Sequence, residues 1–526
     1  MRGLWRAATL SLAALILTAA PSRHGGAYKK PKLVLAIVVD QFRYDYLTRF
    51  QADYNSGLAT LTSRGAVFTN AHFEHFPTVT AVGHSTILSG ATPSLSGIVG
   101  NEWYDHAARK QVTSVSDDSV QLLGGTPGKR ASSPRQLLVS SVGDELKLAV
   151  QGKSKVIGIS VKDRAAILPA GRMADAAYWF DDTSGNFVSS TWYFPDLPGW
   201  VKEFNSSRVA DRFVGQSWTP FDNPSAAPFR TMPAKAGEKY FGQMERTPWG
   251  SEILEMFAEK AIEAEKLGED TWPDLLSVSF SSNDYVGHPF GPHDPAVRDI
   301  SIRTDRILGR FLKFVDAKVG LDNVLVVFTA DHGVAPLAEY MQKQNMPGGR
   351  LLEQDVLDTV QKALADRFGP GNWVAGKSGP APYFNRDLIR EKKLDPAEVQ
   401  EVAALAVREL PHIFRVYTRE QLRHGQILED RVGRRVGNSF HNQRGSDLFI
   451  IAEPYWVFEK SGASHGSPFN YDSHVPVIFM GQGIQPGRYD RAIAVNDVAP
   501  TLAAILEIET PSGAEGRVLE EMFSVK

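Results

Sequence analysis

The sequence predicts an α/β protein built on a mostly parallel central sheet with helices on both faces. Three observations predict it. Short apolar runs rich in β-branched residues recur five times along the chain, as strands buried on both faces require. Helical periodicity fills stretches between them, clearest at residues 251–266 and 299–315. Each run adjoins a polar, chemically capable cluster, and open α/β sheets bind ligands beyond the carboxyl ends of their strands.

The elements follow in chain order. Residues 32–39 (KLVLAIVV) form the first run and end at Asp40. Residues 78–90 (TVTAVGHSTILSG) place hydroxyls just before a short helix-like stretch. A helix N-terminus offers free N–H groups and positive dipole, which suit a phosphate. The segment lacks the Gly-x-Ser-x-Gly elbow of esterases, and by itself Thr78, Thr80 or Ser85 is as readily a helix cap as a nucleophile. Residues 155–161 (KVIGISV) end at Lys162, Asp163 and Arg164, a pattern that in isolation describes a surface basic pair. Residues 275–279 (LLSVS) lead to Asn283 and Asp284, with His288 four residues on. That spacing lets a carboxylate and an imidazole reach one metal from a single turn, although alone it fits a structural histidine equally well. Residues 324–330 (VLVVFTA) end at Asp331 and His332, and 474–480 (HVPVIFM) end at Gly481, with His465 just upstream in SHGSP. Residues 124–135 and 222–237, rich in Gly, Pro and Ala, are expected to be exposed loops.

Composition excludes several classes. The chain has 526 residues, 43% hydrophobic and 22% charged, values of a folded globular protein. A formal net charge of −3 gives no global bias toward nucleic acid. There is no cysteine, so disulfides, thiolate metal sites and cysteine nucleophiles are excluded. The N-terminus, MRGLWRAATLSLAALILTAAPS, has the charged start, short apolar stretch and small-residue end of a secretory signal peptide, expected over residues 1–20. Its apolar stretch is shorter than a membrane helix needs, so the mature protein is expected in the periplasm or outside the cell with no membrane span. Residues 30–526 are expected to form one catalytic domain with insertions at about 102–150, 170–245 and 335–445.

Three carboxylates and three histidines thus gather at strand ends: Asp40, Asp284, Asp331, His288, His332 and His465. Such a set suits a pair of divalent ions, with zinc the expected occupant. Read together, VVDQFRYDYL, TVTAVGHSTILSG, GIVGNEWYD, SVKDRAAI, NDYVGHPFG, TADHG, SHGSP and NDVAPTLAAIL occur in an order that resembles the alkaline phosphatase superfamily. Within it the chain most resembles bacterial PafA/PhoK-type alkaline phosphatases with a threonine nucleophile, relatives of nucleotide pyrophosphatase/phosphodiesterases. The resemblance implies a three-layer alkaline-phosphatase-like fold and two zinc ions per chain. It implies that Asp284, His288 and His465 hold one ion, and that Asp40, Asp331 and His332 hold the other. Thr80 then corresponds to the nucleophile, touching the second ion. Asn101, Lys162 and Arg164 correspond to the groups that grip the remaining phosphate oxygens. Some relatives carry a cysteine beside the nucleophile, where this chain has Ala81.

The resemblance implies a phosphate monoesterase working through a phosphothreonine intermediate. Its substrates would be small phosphate monoesters, with no nucleic-acid partner required and a monomer expected. The alternative is a phosphodiesterase or nucleotide pyrophosphatase on the same bimetal site. A diester carries one charge fewer and a second substituent, so it gains less from Lys162 and Arg164. A transferase acting on membrane lipid would need spans that are absent from the sequence. A non-catalytic metal or phosphate binder has no use for Thr80 beside six ligands.

Overall fold

Seven consecutive apolar residues, Leu33–Val39 (β1), are buried without exception, because strands flank them on both sides and helices cover the sheet. The computed structural model describes residues 30–523; the expected signal peptide, residues 1–20, lies outside them. After β1 the strands of the main sheet are Ala66–Phe68 (β2), Leu122–Leu123 (β3), Val156–Ser160 (β4), Ala176–Asp181 (β5), Asn186–Ser190 (β6), Asp274–Phe280 (β7), Val324–Thr329 (β8), Val477–Met480 (β9) and Gly487–Tyr489 (β10). They form one 10-stranded sheet in the order β10-β2-β9-β8-β1-β7-β4-β5-β6-β3. The five central strands, β8-β1-β7-β4-β5, run parallel.

Register explains why their ends coincide. Val39 lies opposite Phe280 and Val38 opposite Thr329, so β1, β7 and β8 stop at the same level. Ser160 pairs with Ser279, which brings the end of β4 to that edge too.

One strand departs from expectation. The run at 474–480 joins the sheet as β9, but antiparallel to β8, with Thr329 opposite Val477. An apolar run carries no direction of its own; the route of the chain into it decides. The residues before β9, including His465, therefore approach the shared edge, whereas Gly481 leaves at the opposite end.

The helices that matter for the site follow these strands. They are Thr80–Ser89 (α1), Asp163–Ala170 (α2), Pro248–Glu265 (α3), Ser282–Phe290 (α4) and Pro295–Lys318 (α5). Helix α3 packs on β4 and β7, and α5 packs on α3 and α4. Asp294 caps α5 by accepting from the Ala296 N–H, with Pro295 at the first helical position. Between β8 and β9, Glu353–Phe368 (α6) and Pro396–Arg408 (α7) pack together over a separate apolar cluster that includes Val360, Leu364 and Trp373. A hairpin of Ile413–Thr418 with Leu448–Ala452 joins this cluster to a helix at Arg431–Ser439 (α8). Residues 124–133 and 222–229 carry no strand or helix, while Arg230–Thr231 pairs with Ser217–Trp218.

Ile37 is fully buried in β1, and Leu405 on α7 is 53% exposed. Ile37→Ala is expected to destabilise the protein by about 2–5 kcal/mol and Leu405→Ala by less than about 0.5 kcal/mol. Denaturant midpoints of the two variants check the difference.

Candidate active site

The level strand ends gather the six predicted ligands. Asp40 follows β1, Asp331 and His332 follow β8, and Asp284 and His288 lie on α4, which starts directly after β7. His465 comes from the loop that leads into β9. Asp40, Asp331 and His332 bring ligand atoms within 4.8 Å of one another, and so do Asp284, His332 and His465. His332 thus stands between the two groups. His288 reaches the second group through its Nε2, 3.2 Å from Asp284 Oδ1, and its ring centre lies 5.1 Å from that of His465.

The histidines are oriented by the backbone. His288 Nδ1 donates to the Ala463 carbonyl at 2.8 Å, His332 Nδ1 to Gly333 at 2.9 Å and His465 Nδ1 to Thr78 at 2.9 Å. A carbonyl only accepts, so each Nδ1 carries the proton. Each Nε2 then faces inward, 3.2–3.7 Å from a carboxylate oxygen, where its lone pair would be free for a bound metal ion. A carbonyl that accepts from Nδ1 fixes the ring and its tautomer, which is how a histidine is set to offer Nε2 to a metal.

The charges tell the same story. Three buried carboxylates face one ammonium: Lys162 Nζ lies 2.6 Å from Asp40 Oδ2 and 2.6 Å from Asp284 Oδ2. Burial opposes ionisation of Asp284, but Lys162 and then His288 outweigh it and hold this carboxyl well below the usual range. Asp40 is likewise lowered, burial being outweighed by Lys162. Asp331 goes the other way, because burial and the neighbouring Asp40 both push it well above the usual range. Asp284 lifts His288 to about 9 against the downward pull of burial. Asp40 Oδ1 and Asp331 Oδ2 are buried with no hydrogen-bond donor. A cluster this rich in anionic oxygen and imidazole lone pairs, and this poor in donors, fits divalent cations.

Thr80 is the first residue of α1, and Val79, which precedes it, makes no side-chain cap. Thr80 is therefore not an N-cap. Thr78 donates its hydroxyl to Ser467 O, and Ser85 donates to Val82 O within the helix. Thr80 Oγ1 is 3.5 Å from His332 Nε2 and 2% exposed. The close packing depends on Gly83: a Cβ there would sit 2.0 Å from the Asp331 carbonyl oxygen.

Asn101 Oδ1 accepts the Ala81 N–H at 2.9 Å, which ties it to the first turn of α1. Lys162 precedes α2 and Arg164 is its second residue. Lys162 is bound between Asp40 and Asp284, whereas Arg164 is far freer. Its Nη1 stays 3.8 Å from Asp163 Oδ1, and its buried Nε has no partner. Asn101, Arg164, His288 and His465 all line one cavity of about 640 Å³.

Two neighbours of the site, Gln41 and His84, escape sequence reasoning, and a third, Asn283, is legible only as part of the polar cluster after β7. Gln41, with φ of 61°, donates its backbone N–H to Asp331 Oδ1 at 3.0 Å and its side-chain amide to Asp284 Oδ1 at 2.7 Å. It bridges the two ligand groups. Gly287 leaves room for it, since a Cβ there would lie 1.8 Å from Gln41 Oε1. Asn283 donates to the carbonyls of Asp40 and Gln41. His84 donates Nδ1–H to Thr80 O, accepts from the Ser279 hydroxyl, and lies 3.2 Å from Asp331 Oδ2. Burial pushes its imidazole down to about 4, so it is neutral. For Gln41 the one sequence signal was adjacency to Asp40, which does not foretell a left-handed backbone.

A mixed α/β sheet with Asp–His clusters at the carboxyl ends of its strands is the architecture of the alkaline phosphatase superfamily. Residues 34–473 match the type I phosphodiesterase / nucleotide pyrophosphatase family, and the chain belongs to that family. It is 36% identical to alkaline phosphatase PafA of Elizabethkingia meningoseptica, over 94% of this chain and 95% of the relative. It is 34% identical to alkaline phosphatase PhoV of Synechococcus elongatus, over 96% and 95%. The crystal structure of wild-type PafA superimposes with a TM-score of 0.87 at 35% identity, covering 95% of this chain and all of that one. A further PafA structure, with a TM-score of 0.89, carries substitutions at a threonine, an asparagine, a lysine and an arginine together.

Gln41→Gly tolerates the left-handed backbone and removes only the bond to Asp284. It is expected to weaken metal retention by about 10–100-fold, measured by competition with a chelator. Gly287→Ala, which displaces the same amide, should shift retention in the same direction.

Proposed function

We propose that the chain is a periplasmic or secreted alkaline phosphatase that hydrolyses small phosphate monoesters at a two-zinc site through a phosphothreonine intermediate. It is a phosphoric monoester hydrolase of one catalytic domain, with its signal peptide at residues 1–20. The observation that carries this reading is Thr80 at the start of α1. Its hydroxyl lies 3.5 Å from His332 Nε2, close to the cavity that Arg164 and Asn101 line. The four residue types substituted together in PafA are those of Thr80, Asn101, Lys162 and Arg164. Among the described residues no helix is long and apolar enough to cross a membrane.

Asp284, His288 and His465 would hold one zinc, and Asp40, Asp331 and His332 the other. Two bound zinc ions supply Lewis-acid charge, which favours an ionised threonine hydroxyl and an alkoxide leaving group and neutralises phosphate oxygens. The residues of the chain do the rest. Thr80 Oγ attacks phosphorus in line, and the bond to the ester oxygen breaks. The free N–H groups and dipole at the start of α1 favour the dianion. Arg164 and Lys162 supply charge-assisted contacts to the oxygens that neither enter nor leave, and Asn101 adds a neutral donor. With positioning and charge neutralisation dominant in phosphoryl transfer, no strong general acid is required. Water then attacks the phosphothreonine from the vacated side, releases inorganic phosphate and restores Thr80.

The diesterase reading shares every residue except the use made of the cations. A monoester dianion brings one more negative oxygen, and the guanidinium of Arg164, with its buried Nε unpartnered, is suited to take it.

Thr80→Ala should abolish labelling of the protein by a radioactive phosphate ester while metal content stays at two per chain. Near-normal turnover by that variant would remove Thr80 from the role. Dialysis against a chelator should abolish activity, and zinc should restore it. Arg164→Ala should lower kcat/KM for nitrophenyl phosphate by about 100-fold or more, and for its bis ester by less than about tenfold. Equal losses would make Arg164 a structural residue.

A further inference from the structure

We infer that the part of the active-site cavity away from the phosphate is a leaving-group subsite for uncharged aromatic or aliphatic groups, and that it turns away leaving groups carrying further negative charge. The inference rests on the monoesterase reading above and names its substrate class.

Size is the first observation. About 640 Å³ is the volume of a pocket for a whole small molecule, well beyond a phosphoryl group. Asn101, Arg164, His288 and His465 occupy one side of its lining. Much of the remainder is apolar: Phe76, Val79, Val99, Trp456 and Phe458. Phe76, Val79, Trp456 and Phe458 are only partly buried in the protein, so they present ring and methyl surface to the cavity.

This wall is built rather than incidental. Trp456 stacks on His412 with ring centres 3.4 Å apart and planes 10° from parallel. Its strand, Trp456–Val457, pairs with Gly349–Arg350, and Gly349 has no Cβ because one would lie 2.3 Å from the indole. Phe458 packs against the cluster under α6 and α7, and Phe76 against the cluster that holds α8. The segment between β8 and β9, through Trp456 and Phe458, therefore supplies a packed apolar part of the cavity wall, to which Phe76 adds from the chain before α1. Such a surface favours an apolar occupant by excluding water from it.

Charge is the second observation, independent of the first. Arg164 is the one Lys or Arg side chain among the lining residues, and it lies at the phosphate end. The lining also carries Glu102, Glu353 and Glu459. Lys377 pairs with Glu353 at 2.5 Å. Glu459 is exposed, and its carboxyl is shifted upward by partial burial and then by Glu353. The cations nearest these carboxylates, Lys377 and Arg350, are already engaged by Glu353 and Glu339, so a leaving group with its own phosphate or carboxylate would meet an excess of carboxylates, and like charges disfavour such a partner.

The test compares three monoesters of primary alcohols on the zinc-loaded enzyme: benzyl phosphate, glucose 6-phosphate and 6-phosphogluconate. The expected order of kcat/KM is benzyl phosphate above glucose 6-phosphate by about tenfold, with 6-phosphogluconate lower again by about tenfold. Phe458→Ser should shrink the first ratio below about threefold. Glu459→Gln, a surface change that leaves the wall intact, should raise 6-phosphogluconate turnover relative to glucose 6-phosphate and leave the benzyl ratio alone. Values equal within about twofold for all three esters, with good turnover, would overturn the subsite and leave the monoesterase reading standing. Ratios unmoved by both variants would overturn it as well. No turnover of any of the three would overturn the monoesterase reading, and this inference with it.

Discussion

Three carboxylates buried in one place are a problem that the rest of the site exists to resolve. Asp40, Asp284 and Asp331 are almost entirely removed from water, and Lys162 alone among the described lysines and arginines pairs directly with any of them. Three imidazoles turn their Nε2 atoms toward the carboxylates: His288 offsets part of the charge on Asp284, while burial keeps His465 neutral and without a proton to give. The opposed shifts of Asp284 and Asp331 express the imbalance: the ammonium reaches one and leaves the other short of positive charge. Multivalent cations would satisfy such a set without undoing the fold around it.

The parallel register makes this concentration of charge possible. In β1 and β8 the side chains between the ends are buried apolar groups, and β7 admits only the small Ser277 and Ser279, so charged residues appear only where the strands begin or stop. Because the strands stop level, their last carboxylates meet. Helix α1 is then laid across them, close enough that Gly83 touches the backbone of Asp331. That approach puts the hydroxyl of Thr80 beside His332 and presents the positive end of a helix at the same place. Gln41 and His84 fill the gaps, each tied to one ligand and to a second element.

The inserted region beyond β8 contributes in a different way. It has its own apolar cluster, and its hairpin and the segment after it, with Trp456 and Phe458, wall the cavity that the sheet edge opens onto. The sheet edge supplies the charged chemistry, and the insertion supplies the shape and polarity of what surrounds it. Arg435 on α8 joins the two, donating to Pro468 O and the Ser473 hydroxyl in the loop that carries His465.

Much of this was legible in the linear sequence, for definite physical reasons. Buried parallel strands must be apolar throughout, so β1, β4, β7 and β8 announce themselves and point at Asp40, Lys162, Asp284 and Asp331. In a chain without cysteine a metal must be held by Asp, Glu, His or hydroxyl side chains, which narrows the candidates further. The pairing of ligands and the choice of Thr80 over Thr78 and Ser85 rest on the family resemblance that the motifs carry, because periodicity alone could not make them. Direction, tautomer and reach belonged to the tertiary structure. The antiparallel course of β9 depends on a connection more than a hundred residues long, and hence on no local pattern. The placement of Lys162 between two carboxylates, the bridging role of Gln41 and the inward-facing Nε2 atoms all depend on contacts between residues far apart in sequence. Sequence determines which groups are present at an edge; only packing decides which of them face one another, because that is set by distances between elements and not within them.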